Sequence, residues 1–492
     1  MLEKSQVEAT EIADGAAPPR PAAARTRRAV AVLWRHWLAA VLLAAGLVLR
    51  VLAQFAYRPV LFYIDTTRYL YNDAPGMDPV GYKGPLRAIL AVADFNAVAA
   101  VQHLLGLAMA VLLYLLLLRR GSRWLAALAT APLLLDAYQV QIEQTLMPDT
   151  WFEALIVAGL AILLWRPAPG WRAAAAGGLV LGTSAIFAQV GEALLLPAVI
   201  YLLVVGGGWR ALGRAASLGV AFVLPILSYC TVNYLAAGDF FLSHTGVTSV
   251  YGRMAAAADC ATLRLPQTER GMCPTRHQQA LGPDFLEFGL RSPIRPYYNG
   301  LTRGSVDNLI TDFNHRVLSQ QPLRVLRAYL RDVVRPFALT RDGSPGVTAI
   351  SRWQFQTAYP YYPPHASRQV IDSSVDRFGG GRPAVWTPAA RFLRAYQLHG
   401  GYTPGPLFAL CVLAALTGSA VLLARRRAPP AARGPALACL LLFLSAVSVL
   451  LVSDVFEFSW RYLLPALVTL VPAGALGITA VLRAATARRA RG

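Results

Sequence analysis

The sequence predicts an all-α polytopic membrane protein, and three observations lead to this fold class. Hydrophobic residues make up 56% of the 492 residues and charged residues 15%, whereas soluble domains contain roughly 25% charged residues. Apolar runs long enough to cross a bilayer recur along the chain. The basic residues gather in short clusters between these runs, which is typical of the cytoplasmic side of membrane proteins.

The formal net charge of +20 resembles that of a nucleic-acid-binding protein, but the placement of the charges excludes that class. Lys4 and Lys83 are the only lysines among 46 basic residues, and the arginines cluster at the ends of apolar runs. This arrangement marks membrane topology. We therefore expect the lipid bilayer, and no nucleic acid, as a partner.

The apolar runs predict about ten transmembrane helices. Residues 1–29 are polar and rich in Ala, Pro and Arg, which predicts a disordered cytoplasmic tail. Residues 30–236 form an N-terminal transmembrane core with an outer loop at 56–95, residues 403–484 hold the last three spans, and 485–492 form a second cytoplasmic tail. The predicted spans are 33–55, 96–118, 123–140, 150–166, 171–187, 191–206, 213–235, 405–424, 434–453 and 461–482.

The charges of the loops predict the orientation. With the N-terminus inside, every predicted cytoplasmic loop contains arginine, including Arg425, Arg426 and Arg427, whereas the short outer loops 141–149, 188–190 and 454–460 contain no Lys or Arg. Both termini are therefore expected in the cytoplasm. The protein is expected in the plasma membrane, with its active site on the extracytoplasmic face.

Two outer segments are large. In the first, 56–95, the spacing at 85–93 predicts a short amphipathic helix on the membrane surface. The second, 237–402, is polar, rich in Pro and Gly, and predicts a loop-rich extracytoplasmic segment. Cys260 and Cys273 lie in it, where the oxidising side permits a disulfide, although two unpaired thiols remain the alternative.

The other cysteines and three of the histidines are interpreted as structural residues. Cys230, Cys411 and Cys439 fall in predicted spans and are expected to be small core residues. The Cys and His residues lack zinc-like spacing, so no metal site is predicted. His103, His244 and His399 are isolated in the sequence and are interpreted as structural.

Carboxylates occur in three separate outer loops, where polar groups that cost free energy often mark function. The loop after the first span contains Asp65, Asp73 and Asp78. The next short outer loop contains Glu143 and Asp149. The last one contains Asp454 and Glu457, and Glu192 opens the sixth span.

Three cations stand on the same outer face, against the charge rule. Arg68 and Lys83 belong to the first outer loop, and Arg461 follows the last one. Each could be a structural partner of a nearby carboxylate. Together they favour an anion site, most simply for a lipid phosphate, because Arg offers bidentate hydrogen bonds and Lys a compact charge.

A carboxylate beside a phosphate site suits the transfer of a sugar from a lipid phosphate. The phosphate is already a good leaving group, so it needs charge neutralisation by cations more than a proton. One aspartate acting as general base would activate the hydroxyl of the acceptor. The outer loops contain both residue types that this reaction needs, an aspartate for the base and cations for the phosphate.

At these residues the sequence resembles the multi-spanning type C glycosyltransferases that use polyprenyl-phosphate sugars, such as lipid A aminoarabinose transferases, protein O-mannosyltransferases and actinobacterial arabinofuranosyltransferases. An acidic motif, Asp65-Thr66-Thr67-Arg68-Tyr69, follows the first span; Asp149 precedes the fourth; and Arg461-Tyr462-Leu463-Leu464-Pro465 opens the last. The resemblance covers about 33–235 and 405–482, and leaves 237–402 unassigned.

The resemblance implies a role for each matching residue. Asp65 would be the catalytic base and Asp149 a second active-site carboxylate, and the ligands of the donor phosphate would be Arg68, Lys83, Arg461 and Tyr462. Many relatives have Asp-Glu where this chain has Asp65-Thr66, which puts a divalent cation in doubt. Glu143, the third residue assigned to the catalytic set, would compensate for the missing carboxylate. The implied donor is a polyprenyl-phosphate-linked sugar, and the implied acceptor is an envelope glycan, glycolipid or protein. The transfer is expected to invert the anomeric carbon.

Several alternatives stay open. Asp65 and Asp149 would also suit the caps of helices. The chain as a whole could be a transporter or flippase of a lipid-linked sugar, or an inactive scaffold. A transporter would be expected to carry buried charges near the bilayer midplane. Arg50, the main charge inside a span, lies toward the outer end of the first span and is expected to extend to the outer surface. Asp136 and Gln139 would line a cavity or bind each other, and three tyrosines at 359–362 would stack on sugar or pack within a loop.

Overall fold

The computed structural model describes residues 31, 34–71, 79–344, 346–423 and 430–490. The predicted tail at 1–29, the carboxylates Asp73 and Asp78 and the arginines Arg425, Arg426 and Arg427 lie outside the described residues. The described chain is mostly helical. Its second tail, predicted at 485–492, is helical as far as Arg489, because the last helix continues beyond the apolar run.

The described residues of the N-terminal part include ten α-helices. They are α1 (Trp37–Ala56), α2 (Thr66–Tyr71), α3 (Lys83–Leu90), α4 (Phe95–Leu118), α5 (Arg123–Leu135), α6 (Ala137–Glu143), α7 (Asp149–Leu164), α8 (Trp171–Ala185), α9 (Leu195–Val205) and α10 (Gly208–Ala237). A 3-10 turn at Gln189–Leu194 leads into α9.

Eleven further helices follow. They are α11 (Gly246–Ala257), α12 (Arg276–Ala280), α13 (Pro283–Phe288), α14 (Arg303–Gln320), α15 (Pro322–Val334), α16 (Arg368–Phe378), α17 (Thr387–Leu398), α18 (Gly405–Ala420), α19 (Pro430–Phe456), α20 (Pro465–Val468) and α21 (Leu470–Arg489). The strands are β1 (Tyr57–Arg58) and β2 (Ala384–Val385), which pair antiparallel with Tyr57 opposite Val385.

Six helices of the described chain are long and apolar enough to cross a membrane. They are Trp37–Ala56, Phe95–Leu118, Gly208–Ala237, Gly405–Leu423, Ala431–Phe456 and Trp460–Ala487. The chain is thus a helical protein with several membrane-spanning helices. The predicted fourth, fifth and sixth spans correspond to shorter apolar helices, so the count of ten stays a prediction.

The third predicted span is broken. Helices α5 and α6 meet at an angle of 56° and together would make a seventh crossing. The break lies at Asp136, whose extended backbone ends α5 and whose Oδ1 accepts a hydrogen bond from Tyr138 N at 2.9 Å. Pro132, inside α5, weakens the same turn because it has no N–H to donate.

Small residues let α8 pack closely on α10. A Cβ atom at Gly178 would lie 2.3 Å from the carbonyl oxygen of Leu218, and one at Gly182 would lie 2.0 Å from that of Phe222. Both distances are too short for any side chain. Such close backbone approach is characteristic of packed membrane helices.

The predicted extracytoplasmic segment has two parts in the structure. The first, from α11 to α15, has its own apolar core, which includes Tyr251, Ile310 and Phe313. The second, from residue 346 to α17, joins the core of the helical bundle through Trp353, Phe355 and other residues. The segment leaves α10 and returns at α18, and we call this end of the bundle the segment side.

Candidate active site

Two loops on the segment side are joined by hydrogen bonds, and this pairing brings the predicted catalytic carboxylates together. Leu146 N donates to Leu61 O at 2.9 Å. Thr66 Oγ1 donates to Leu146 O at 3.1 Å, and the two loops are thereby held side by side. Asp65 immediately precedes α2 at the end of the first loop, and Asp149 begins α7 at the end of the second.

Arg461 lies between these two carboxylates. Its Nε is 3.3 Å from Asp149 Oδ1, and its Nη1 is 4.0 Å from Asp65 Oδ2. Arg68, one turn along α2, forms a further ion pair with Asp65. We call these four residues the ion-pair cluster. Their side chains are only 15–25% exposed, so the charges are partly desolvated and interact more strongly than they would in water.

Two buried atoms of the cluster, Asp149 Oδ2 and Arg461 Nε, have no hydrogen-bond partner within the described chain. Most buried polar atoms in folded proteins have a partner, so an oxygen left over beside a group of charges is a place where a ligand could donate a hydrogen bond. The guanidinium of Arg461 also packs over the ring of Trp353, 4.9 Å from its centroid.

Aromatic and polar side chains of the segment close over the cluster. A cavity of about 10 Å³ next to it is lined by Tyr63, Arg352, Trp353 and Tyr362, among others, and is roughly the size of one water molecule. Arg352 Nη1 donates to Tyr63 OH at 3.1 Å and pairs with Asp284 Oδ2 at 3.1 Å. Sequence reasoning missed Arg352 and Trp353; the only signal was the run of nearby tyrosines, of which Tyr362 packs against Tyr63.

Tyr462 and Glu457 form a second layer beside Arg461. Tyr462 OH donates to Glu457 Oε1 at 3.3 Å, and Thr348 Oγ1 donates to Glu457 Oε2 at 3.2 Å. Burial, together with the like charge of Asp284, raises the pKa of Glu457 to about 7, although Arg461 opposes this shift. The phenol predicted to bind phosphate is therefore hydrogen-bonded to a carboxyl group in this structure.

Lys83 is the first residue of α3 and takes no part in the ion pairs that Asp65, Asp149 and Arg461 form within the described chain. The surface helix predicted at 85–93 is found at Lys83–Leu90, and its Leu86 is fully buried. The phosphate-binding role of Lys83 stays a prediction.

Glu143 lies in a different network. It accepts a hydrogen bond from Arg50 Nη2 at 2.7 Å and contacts His103 Nδ1 at 3.0 Å. Gln139 Nε2 lies 3.3 Å from Glu143 Oε1 and donates to Glu153 Oε2 at 2.7 Å. Glu143 is completely buried and belongs to this network rather than to the ion-pair cluster, and its catalytic role stays a prediction.

Contacts inside the bundle correct two interpretations. Arg50 does not reach the surface: it is 1% exposed, because it pairs with Glu143 and donates hydrogen bonds to carbonyl oxygens of α5. His103 is buried and hydrogen-bonded to Glu143 and Gln144, which agrees with its structural interpretation. Asp136 and Gln139 do not bind each other; Asp136 Oδ2 pairs with Arg341 at 2.9 Å. The contribution of Arg341 could not be foreseen, because it comes from the distant segment.

The cysteines of the segment are close together. Cys260 and Cys273 are joined by a disulfide, with Cα atoms 5.9 Å apart. Cys230, Cys411 and Cys439 are free and buried among helices.

The side chains of the described residues do not form a site for a divalent cation. In the part of the chain that the structure describes, no group of three or more His, Cys, Asp or Glu side chains is placed to hold one. Arg461 also lies between Asp65 and Asp149, where a metal ion would have to bind both carboxylates. No step proposed below involves a metal.

No family model matches the sequence, and no curated protein matches it. A solved structure that aligns with 93% of this chain is the archaeal oligosaccharyltransferase AglB from Archaeoglobus fulgidus, in complex with an inhibitory peptide and a dolichol-phosphate. The sequence identity is 12% and the TM-score 0.36, and the chain spans about half the length of that protein (52%). A likeness of this size carries no argument about activity.

Proposed function

We propose that the chain is a membrane glycosyltransferase that moves a sugar from a polyprenyl-phosphate donor to a cell-envelope acceptor: a glycan, a glycolipid or a protein. The observation that carries the proposal is the ion-pair cluster, in which Asp65, Arg68, Asp149 and Arg461 converge from three separate parts of the chain. Two cations beside two carboxylates, next to apolar helices, suit a charged headgroup on a lipid.

The reaction would be a single displacement at the anomeric carbon. Asp65 takes the proton of the acceptor hydroxyl, and the oxygen attacks the anomeric carbon from the face opposite the phosphate. The bond from that carbon to the phosphate oxygen breaks, and its electron pair leaves with the phosphate. Arg461 and Arg68 stabilise the charge that develops there. One displacement inverts the configuration of the sugar.

A donor phosphate would compete with Asp65 for its cations. Asp65 is paired with Arg68 and lies 4.0 Å from Arg461. A phosphate that binds both guanidinium groups would therefore release the Asp65 carboxylate to contact the acceptor hydroxyl.

The proposed site would lie on the extracytoplasmic face of the plasma membrane, with both termini in the cytoplasm. Three short loops of the segment side lack Lys and Arg, which supports this orientation. The disulfide between Cys260 and Cys273 also suits an oxidising compartment. Labelling of single cysteines introduced into this segment of intact cells would test the orientation, and labelling only after lysis would contradict it.

The decisive experiment uses the purified full-length protein with a panel of radiolabelled polyprenyl-phosphate sugars and an envelope extract. We expect transfer from one donor, and loss of transfer in Asp65→Asn with unchanged folding. Asp239→Asn, an exposed aspartate of the same segment side, is the matched control. Unchanged turnover in Asp65→Asn would remove Asp65 from the mechanism.

A second candidate function is a transporter or flippase of a lipid-linked sugar. It is favoured by the buried charges Arg50, Glu143 and Glu153, since ionisable residues inside a membrane bundle often line a transport pathway. Movement of a fluorescent lipid-linked sugar across liposomes containing the protein, without any transfer to an acceptor, would select this function over the transferase.

A further inference from the structure

Helix α15 (Pro322–Val334) carries an apolar stripe on its exposed face. Leu323, Leu326, Leu330 and Val334 are 74%, 48%, 49% and 59% exposed. Their spacing of three or four residues places them on one side of the helix. The stripe continues beyond the helix in Phe337 and Leu339, which are also exposed.

The opposite face of α15 packs against the protein. Val325 and Asp332 are buried, and Asp332 Oδ2 lies 2.6 Å from Arg253 Nη1 in an ion pair that is 5% and 4% exposed. Arg253 Nη2 also donates to Asp454 O at 2.9 Å, at the end of α19. The orientation of α15 is thus fixed, and its apolar stripe is turned away from the core.

Contacts hold α15 and the residues after it against the ends of two membrane-spanning helices. Tyr329 OH donates to Leu451 O at 3.1 Å, near the segment-side end of α19. Just after α15, Ala338 touches Gly405, the first residue of α18: a Cβ atom at Gly405 would lie 2.1 Å from Ala338 O. Both helices are long and apolar enough to span a membrane, so α15 lies beside the segment-side ends of two candidate membrane-spanning helices.

Arginines flank the stripe on one side. Arg324, Arg327 and Arg331 are exposed and lie next to the leucines around the helix. Arg324 pairs with Asp259 at 3.4 Å. In the described chain, neither Arg327 nor Arg331 has a carboxylate within 4.0 Å. Apolar side chains bordered by uncompensated cations are the pattern of helices that bind anionic membrane surfaces.

We propose that α15 is an interfacial helix: its apolar stripe inserts at the headgroup boundary of the segment-side leaflet, and Arg327 and Arg331 bind anionic lipid headgroups there. The fit to lipid rather than to a protein partner follows from position. A partner covering the stripe would have to replace the lipid that borders the ends of α18 and α19. The helix would thereby hold the first part of the segment against the membrane.

The first test measures depth by spin labelling of the full-length protein in lipid nanodiscs. Nitroxides are placed at Leu326→Cys and Leu330→Cys on the stripe and, as the matched control on the same helix, at Arg324→Cys. We expect the stripe labels to be relaxed more by oxygen and less by a water-soluble nickel chelate than the control label. Strong relaxation by nickel at all three sites would show a solvent-exposed helix and overturn the proposal. Protection of the stripe from both reagents would indicate a protein partner and also overturn it.

The second test concerns the charges. Nanodiscs of phosphatidylcholine alone are compared with discs that also contain phosphatidylglycerol, and we expect the Leu330→Cys label to move deeper in the anionic discs. Arg327→Gln combined with Arg331→Gln should abolish this shift. Arg264→Gln combined with Arg276→Gln, exposed arginines elsewhere in the segment, should preserve it. A shift that survives loss of Arg327 and Arg331 would exclude them as headgroup ligands.

Discussion

The guanidinium of Arg461 lies 3.3 Å from the carboxylate of Asp149, which joins the start of the last membrane-spanning helix to the start of α7. The same guanidinium is 4.0 Å from Asp65. One cation therefore holds two carboxylates from different loops. An anionic ligand that binds Arg461 has to compete with both carboxylates. A bound phosphate would therefore free Asp65 and Asp149 from their contact with Arg461.

Replacement of Arg461 should affect the donor more than the acceptor. Arg461→Lys keeps a charge but loses the planar fork that can bind a phosphate and a carboxylate at once. We expect a severalfold higher KM for the donor with Lys, and a larger loss of kcat/KM with Arg461→Gln, because Asp149 then loses its partner in a partly buried place. Steady-state kinetics with each substrate varied in turn would measure both effects.

Charge removal at Arg68 or Lys83 should give a milder form of the same result. With Arg68→Gln or Lys83→Gln, we expect the KM of the donor to rise more than that of the acceptor, since a phosphate ligand contacts the donor and not the acceptor. Weaker binding at higher ionic strength should accompany it. Equal effects on the two substrates would argue against a phosphate role for these residues.

Stability should fall with rising pH because of Glu457. Its pKa is raised from 4.5 to about 7, so between these values the folded protein binds more protons at this site than the unfolded chain does. The free energy of unfolding therefore decreases as pH rises through this window, by on the order of 1 kcal/mol after allowance for solvent screening. Thermal unfolding in detergent at pH 5 and pH 8 would measure it. Glu457→Gln should flatten the profile, and an unchanged slope would assign it to another group.

The sequence predicted those parts of the site that depend on local pattern and topology. The apolar runs and arginine clusters located the long helices, and the short motifs at Asp65, Asp149 and Arg461 pointed to loops that do meet in the structure. Partners that come from the distant segment could not be predicted, because nothing local marks Arg352 or Arg341 as a contact of the bundle. For Glu143 the sequence pattern was misleading. The sequence places it in an outer loop, but in the structure its side chain is buried and pairs with Arg50.

The pair of Arg50 and Glu143 should matter for stability. Both side chains are essentially inaccessible to solvent, and removal of one leaves a buried charge without its partner. We expect Glu143→Leu to lower the free energy of unfolding by about 3–5 kcal/mol. The double variant Arg50→Met/Glu143→Leu should recover much of that loss, since apolar residues then replace both charges. Unfolding in detergent, followed by circular dichroism, would test this. A Glu143→Leu variant that unfolds like the wild type but lacks activity would instead restore Glu143 to the catalytic set.

The disulfide should stabilise the first part of the segment without taking part in catalysis. Cys260 and Cys273 close a short loop, 13 residues apart in sequence, beside the core formed by Tyr251 and Phe313. A loop of this length constrains the unfolded chain, and its bond contributes about 3 kcal/mol. We expect Cys260→Ser/Cys273→Ser to make the segment more sensitive to limited proteolysis. The KM for the donor should stay unchanged, because the disulfide lies beside the apolar core of the first part of the segment and not in the ion-pair cluster. Cys411→Ser, which removes a free buried thiol, is the matched control. Equal protease resistance in the double serine variant and the wild type would show that the bond contributes nothing measurable to this part of the fold.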